Sequence, residues 1–196
     1  MKIVSISNRK LCKGDFLSKL EDISNSGVDS IYLREKDLPQ EEYLKLAEKV
    51  LKVCHNCDIY IVKYIGVAKM LGCRNVHLSY QDFIEHQDAL KNFNNVSVSV
   101  HSLDEAILSQ TLGATRLVTG HIFQTDCKKD IPPRGLEYLR SICNGVNIPV
   151  YAIGGMTPNN VYTAIENGAT GVCVMSSLMH TNNVDNLVKS LQNSIF

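Results

Sequence analysis

Val96-Ser97-Val98-Ser99-Val100-His101-Ser102-Leu103-Asp104-Glu105 changes its period within a single turn of sequence. Its first five residues alternate strictly, the pattern of a strand whose successive side chains point to opposite faces. Ser102 with Glu105 three residues on then has the capping-box spacing, in which a hydroxyl and a carboxylate satisfy free amides at a helix start. A strand therefore passes directly into a helix with no hairpin turn between them.

The same unit recurs on both sides. Towards the N-terminus, Lys2 to Ser7 alternates and is followed by a helical pattern from Asp15 through Phe16, Leu17, Leu20 and Ile23 to Gly27. Ser30 to Glu35 is a second strand, and Pro39 opens a helix carrying Tyr43, Leu44, Ala47, Val50 and Leu51. Ile59 to Val62 precedes a helix over Ile65 to Gly72, and Asn75 to Ser79 precedes a weaker helical pattern over Gln81 to Asn92. Towards the C-terminus, Leu117 to Gly120 pairs with Arg134 to Asn144. Ile148 to Ile153, entered through Pro149, pairs with a helix capped by Thr157-Pro158 and ending near Gly168. Gly171 to Met175 and a closing helix over Asp185 to Leu191 complete the series.

Eight strand-helix units without a hairpin predict an α/β fold, an all-parallel sheet covered by helices and closed into a single (β/α)8 TIM barrel over residues 1–196. The chain is short against the roughly 250 residues typical of such barrels, so helices are short and any site is built from short loops. An open doubly wound sheet is the competing fold. It carries its glycine-rich turn after the first strand, whereas Gly154-Gly155 follows the seventh.

Composition narrows the function classes. Twenty basic and twenty acidic side chains balance, with no clustered Lys and Arg, so a nucleic-acid partner is not expected. No apolar run reaches the roughly 18 residues of a membrane span, and a first strand beginning at Lys2 leaves no room for a signal segment. A soluble, cytoplasmic protein with no membrane partner is expected. Seven cysteines at irregular spacing read as free thiols, and Cys54-His55-Asn56-Cys57 closes a helix, a setting unlike that of redox or zinc motifs.

Polar residues collect at the strand ends that lead into helices: Ser7-Asn8, Arg34-Glu35-Lys36, Lys63, Ser79 to Asp82, Ser99 to His101, His121, Gly154-Gly155 and Ser176-Ser177. In a barrel these ends form one rim, where barrel active sites sit. Loops there are polar in any case, and the charged run could be a solvated face. Tyr32, Arg34 and Lys36 share one parity, which would place two cations and a phenol over the mouth. Gly154-Gly155, the helix start at Thr157 and the Ser176-Ser177 turn fit a phosphate cradle of backbone amides. His121 is suited to proton transfer near neutral pH. His101 could simply cap or pack; His55, His77, His86 and His180 show no ligand spacing and receive no role. With only Asp82 standing out as a rim carboxylate after the fourth strand, no metal site is expected.

Leu33-Arg34-Glu35-Lys36, His77-Leu78 with Asp82, Ser99-Val100-His101-Ser102, the loop Gly120 to Lys129 and the run Ile148 to Met156 together resemble the thiamine-phosphate synthase superfamily across nearly the whole chain. Two activities divide that superfamily, the synthase and a thiazole tautomerase. Synthases carry glutamine before the Leu-Arg-Glu-Lys run, an Asn-Asp pair after the third strand that serves magnesium and pyrophosphate, and proline after the glycine of the sixth strand. Tyr32, Val62-Lys63 and His121 stand in those places here. The run Gly120-His121-Ile122-Phe123-Gln124-Thr125-Asp126-Cys127-Lys128-Lys129 is instead similar to the tautomerase loop.

The resemblance implies an isomerase that aromatises a carboxylated thiazole phosphate without a cofactor. His121 would be the acid/base and Arg34 or Lys36 the carboxylate contact. Ser99 and Lys128 would bind substrate beside them, with phosphate on the Gly154-Gly155 and Ser176-Ser177 backbones. A thiamine-phosphate synthase and a non-catalytic thiazole-phosphate binder are the alternatives. The expected partners are the small-molecule thiazole phosphate and further copies of the chain in a homo-oligomer.

Overall fold

The computed structural model of the protein describes residues 1–194. Strands β1 (Lys2–Ile6), β2 (Ser30–Leu33), β3 (Asp58–Val62), β4 (Asn75–Ser79), β5 (Asn95–Val100), β6 (Arg116–Gly120), β7 (Val150–Ile153) and β8 (Gly171–Val174) lie in sequence order. Every neighbouring pair is parallel and β8 closes on β1, giving a closed (β/α)8 barrel rather than an open sheet. Between and after the strands run α1 (Phe16–Asn25), α2 (Gln40–Val53), α3 (Ile65–Met70), α4 (Tyr80–Glu85), α5 (Gln87–Leu90), α6 (Leu103–Thr111), α7 (Gly135–Gly145), α8 (Val161–Glu166), α9 (Ser176–His180) and α10 (Val184–Asn193). No helix among the described residues is long and apolar enough to cross a membrane.

The β5–α6 boundary forms as its sequence dictates. Ser102 Oγ accepts from the Glu105 amide (3.1 Å), while Glu105 reaches back one residue further than the simple box, to the His101 amide (2.6 Å). Several boundaries move. Ser7, Arg34-Glu35 and Ile148-Pro149 lie outside their strands, and a short 3-10 turn at Arg9–Leu11 follows β1. The helix expected over 81–92 breaks at His86 into α4 and α5. Regular helix does not begin at Thr157-Pro158: a turn intervenes and α8 starts at Val161, with Asn160 Oδ1 accepting from the Thr157 amide (2.8 Å). Ser176-Ser177, expected as a turn, opens the extra short helix α9.

Parallel strands buried on both faces need two cores. The outer one lies between strands and helices and includes Ile31, Val96, Val98 and Val100. Each fully buried aliphatic side chain there contributes roughly 1.5–3 kcal/mol. The inner one fills the barrel with Val4, Ile6, Tyr32, Tyr60, Val62, Val118, Tyr151 and Cys173. At the end where strands begin, the Arg116 guanidinium lies over the rings of Tyr60 (4.9 Å) and Tyr151 (5.3 Å), a cation held against aromatic faces. The opposite end is left for a site.

Candidate active site

Two clusters of cations face the open end. On the β2–β3 side, Arg34 and Lys36 follow β2 and Lys63 follows β3, all exposed. Burial lowers the Lys36 pKa, and the neighbouring Arg34 and Lys63 lower it further while Asp82 opposes them, which puts these groups within electrostatic reach of one another. None of the three cations forms an ion pair among the described residues. Unpaired cations gathered over a low-dielectric mouth focus its field onto an anion. On the β5–β6 side, burial lowers the His101 pKa, Glu105 opposing and Arg134 and Lys128 adding to the fall. Lys128 belongs to a short 3-10 turn, Asp126–Lys128, in the loop after β6.

The charged run after β2 divides by parity. Tyr32 is fully buried inside the barrel, below the mouth rather than over it. Arg34 and Lys36 stand exposed at the rim, whereas Glu35 is buried and accepts from the Ser7 hydroxyl (2.7 Å), the Arg9 amide (3.1 Å) and the Arg9 guanidinium (3.1 Å). Ser7 Oγ in turn accepts from the Arg34 amide (2.9 Å). Glu35 therefore ties the loops after β1 and β2 together and holds the backbone that carries Arg34.

His121 follows β6 through a cis Gly120–His121 peptide and is only 5% exposed. Its Nε2 lies 3.1 Å from the Ile131 carbonyl. A carbonyl only accepts, so this contact places the proton on Nε2 and leaves Nδ1 with the lone pair. Nδ1 has no hydrogen-bond partner among the described residues and is not sealed from solvent. An imidazole oriented through one nitrogen, with the other lacking a hydrogen-bond partner among the described residues, is the arrangement a general base needs.

Gly154 and Gly155 have a further task besides the one expected of them. Both have positive φ, and a Cβ on Gly154 would run into the Cα and Cβ of His121, one on Gly155 into Phe123 and the Gln124 carbonyl. The Ile122 amide donates to Ile153 O (2.9 Å) and the Phe123 amide to Gly154 O (3.1 Å), so the histidine segment packs directly on the end of β7. The amides of Gly155, Ser176 and Ser177 donate to no protein acceptor among the described residues.

A divalent cation does not suit these donors. Glu35 is committed to Ser7 and Arg9, Asp82 Oδ2 accepts from the Ser79 hydroxyl (2.6 Å), and the groups around Asp82 are Lys36 and its neighbouring cations. No group of three or more His, Cys, Asp or Glu side chains able to hold a metal occurs among the described residues.

Residue patterns located the rim cations and His121. They gave His77 no role; the structure places it below the mouth between Ser97 and Ser99 at 2.9 Å each. The available signal was parity: once Val96, Val98 and Val100 face the helices, Ser97 and Ser99 must face the barrel interior.

Fold and site together define a closed (β/α)8 barrel whose open mouth carries cations without ion-pair partners among the described residues. The family model described as thiamine monophosphate synthase (TMP-TENI) matches residues 3–178, and the chain belongs to that family. A thiamine-phosphate synthase of Fusobacterium nucleatum is 31% identical over 96% of this chain and 96% of its own length. One of Pyrococcus horikoshii is 32% identical over 100% and 95%. Among solved structures, a thiamine phosphate pyrophosphorylase from Pyrococcus furiosus superposes with a TM-score of 0.86 at 26% identity, covering 99% of this chain and 95% of that one.

Proposed function

We propose that this chain is a thiazole tautomerase of thiamine biosynthesis, converting the exocyclic-alkene tautomer of a carboxylated thiazole phosphate into its aromatic form. The observation that carries this reading is His121, oriented by the Ile131 carbonyl with Nδ1 open. Nδ1 takes the proton from the ring carbon as the ring double bonds shift. The resulting imidazolium returns a proton to the exocyclic carbon, so one proton leaves carbon, one arrives, and no cofactor is consumed. Arg34 or Lys36 holds the substrate carboxylate by a charge-assisted hydrogen bond, with Ser99 beside them and Lys128 adding to the field. The amides of Gly154-Gly155 and Ser176-Ser177 receive the phosphate.

The names of the relatives favour a different reading, a synthase that joins a pyrimidine diphosphate to the thiazole phosphate and releases pyrophosphate. Against it stands Lys63, a cation where the resemblance places the synthase's magnesium-serving acid, among donors that do not suit a divalent ion. Incubating the full chain with the pyrimidine diphosphate, thiazole phosphate and magnesium tests this directly. Absence of pyrophosphate alongside aromatisation of the non-aromatic tautomer is expected; rapid pyrophosphate release would establish the synthase instead.

A further inference from the structure

Below the mouth, four side chains from three strands form a continuous column that the proposed proton transfer does not use. Tyr32 OH donates to Ser97 Oγ (2.9 Å), Ser97 Oγ lies 2.9 Å from His77 Nδ1, and His77 Nε2 lies 2.9 Å from Ser99 Oγ. Strand register creates it: β4 and β5 pair with His77 opposite Ser97 and Ser79 opposite Ser99. The Tyr32 and His77 rings pack with centroids 4.8 Å apart. Tyr32 and Ser97 are fully buried, while Ser99 is half-buried at the edge of the mouth, so the column is sealed below and open above.

Its hydrogen-bond direction is determined by what each group can do. Arg116, which can only donate, sits within interaction range of the Tyr32 oxygen, and the phenol proton goes to Ser97. Ser97 then has its own proton left, and among the described residues the only further partner for its oxygen is His77 Nδ1. A neutral His77 accepting at Nδ1 carries its proton on Nε2 and donates it to Ser99. The opposite tautomer would make Ser97 accept twice and leave its proton without an acceptor in a sealed space. The charged form is disfavoured by burial, then by Lys36 and Arg34, which together push the His77 pKa down to about 3.

We infer that His77 is a positioning residue that commits Ser99 to act as a hydrogen-bond donor towards the anionic group of the ligand in the mouth. This rests on the proposed function in taking that ligand to be anionic and in placing Ser99 against it. The column orients a proton and does not shuttle one. Burial raises the Tyr32 phenol far above its ordinary range, so no negative charge can come to rest at the foot of the column. Burial, with Lys36 and Arg34 nearby, likewise disfavours a positive charge on His77.

Long-range 1H–15N NMR of the histidine-labelled full chain tests the direction without any ligand. The Nε2–H tautomer of His77 is expected from its contacts with Ser97 and Ser99, and a neutral ring from pH about 7 to about 5 from its depressed pKa; an Nδ1–H tautomer or a protonated ring overturns the inference. Calorimetric binding of the aromatic carboxythiazole phosphate tests the consequence. Ser99→Ala and His77→Leu should each weaken binding by roughly tenfold or more, the loss of a hydrogen bond to a charged group. His77→Leu should add nothing in the Ser99→Ala background, and His77→Gln, which keeps an N–H towards Ser99, should restore most of the affinity. Full additivity, or a silent Ser99→Ala, overturns the inference. Should His77→Leu not fold, the NMR measurement and Ser99→Ala decide. Inorganic pyrophosphate serves as a second binding probe. Because no arm needs turnover, coupled binding without aromatisation would remove the tautomerase reading and leave this one standing.

Discussion

Lys63 combines two properties that are seldom found together: a left-handed backbone at φ 74° and a charge that no carboxylate pairs with among the described residues. A non-glycine residue held there costs on the order of 1 kcal/mol, and such strain tends to be kept where it serves a site. Lys63→Gly should therefore leave urea stability equal or slightly higher while weakening the anionic ligand several-fold, a split that stability and binding measurements on one sample can read. Glu35 was visible in the sequence only as part of a charged run; its burial beneath Ser7 and Arg9 depends on a contact 28 residues back. Glu35→Ala leaves Arg9 and Ser7 without their acceptor and should cost about 1–3 kcal/mol by chemical denaturation. His77 was harder to read, since its partners lie twenty and twenty-two residues away on β5, and the alternation there puts Ser97 and Ser99 on one face without saying that His77 meets them. His121 was legible because glycine, histidine and the polar loop adjoin in sequence.

At the scale of the element, β5 and α6 show why most of the fold could be read. Alternation and capping are local, and both appear in the structure where the residues place them. Ser102→Ala removes the cap and should lower stability by about 1 kcal/mol without moving the barrel; an unchanged denaturation midpoint would mean that packing alone holds this helix. What alternation could not say is which side of β5 faces the helices, because both sides of a barrel strand are buried. The start of α8 was misplaced for a related reason. Thr157-Pro158 has the residues of a helix start, but the Asn160 side chain captures the Thr157 amide and delays the regular helix to Val161.

For the whole molecule, closure of eight parallel strands brings His121, the β2–β3 cations and the β7–β8 amides from distant sequence to one rim, which no local pattern could demonstrate. The barrel also sets a pH dependence. His77 has a folded pKa lowered from 6.5 to about 3 by burial, with Lys36 and Arg34 above it and the Tyr32 ring beside it, and His101 is shifted the same way. The unfolded chain then binds more protons, so stability is full above about 6.5 and falls as the pH drops towards 3. Urea midpoints should decline through that window, and His77→Gln should flatten part of the slope; a parallel decline in the variant would assign the loss to other groups. The central claim is the proton transfer at His121. Its most direct test follows the ultraviolet change as the non-aromatic thiazole tautomer aromatises, comparing the wild type with His121→Gln. A loss on the order of a hundredfold or more in rate, with product affinity retained, is the predicted result; full activity in the variant would contradict it.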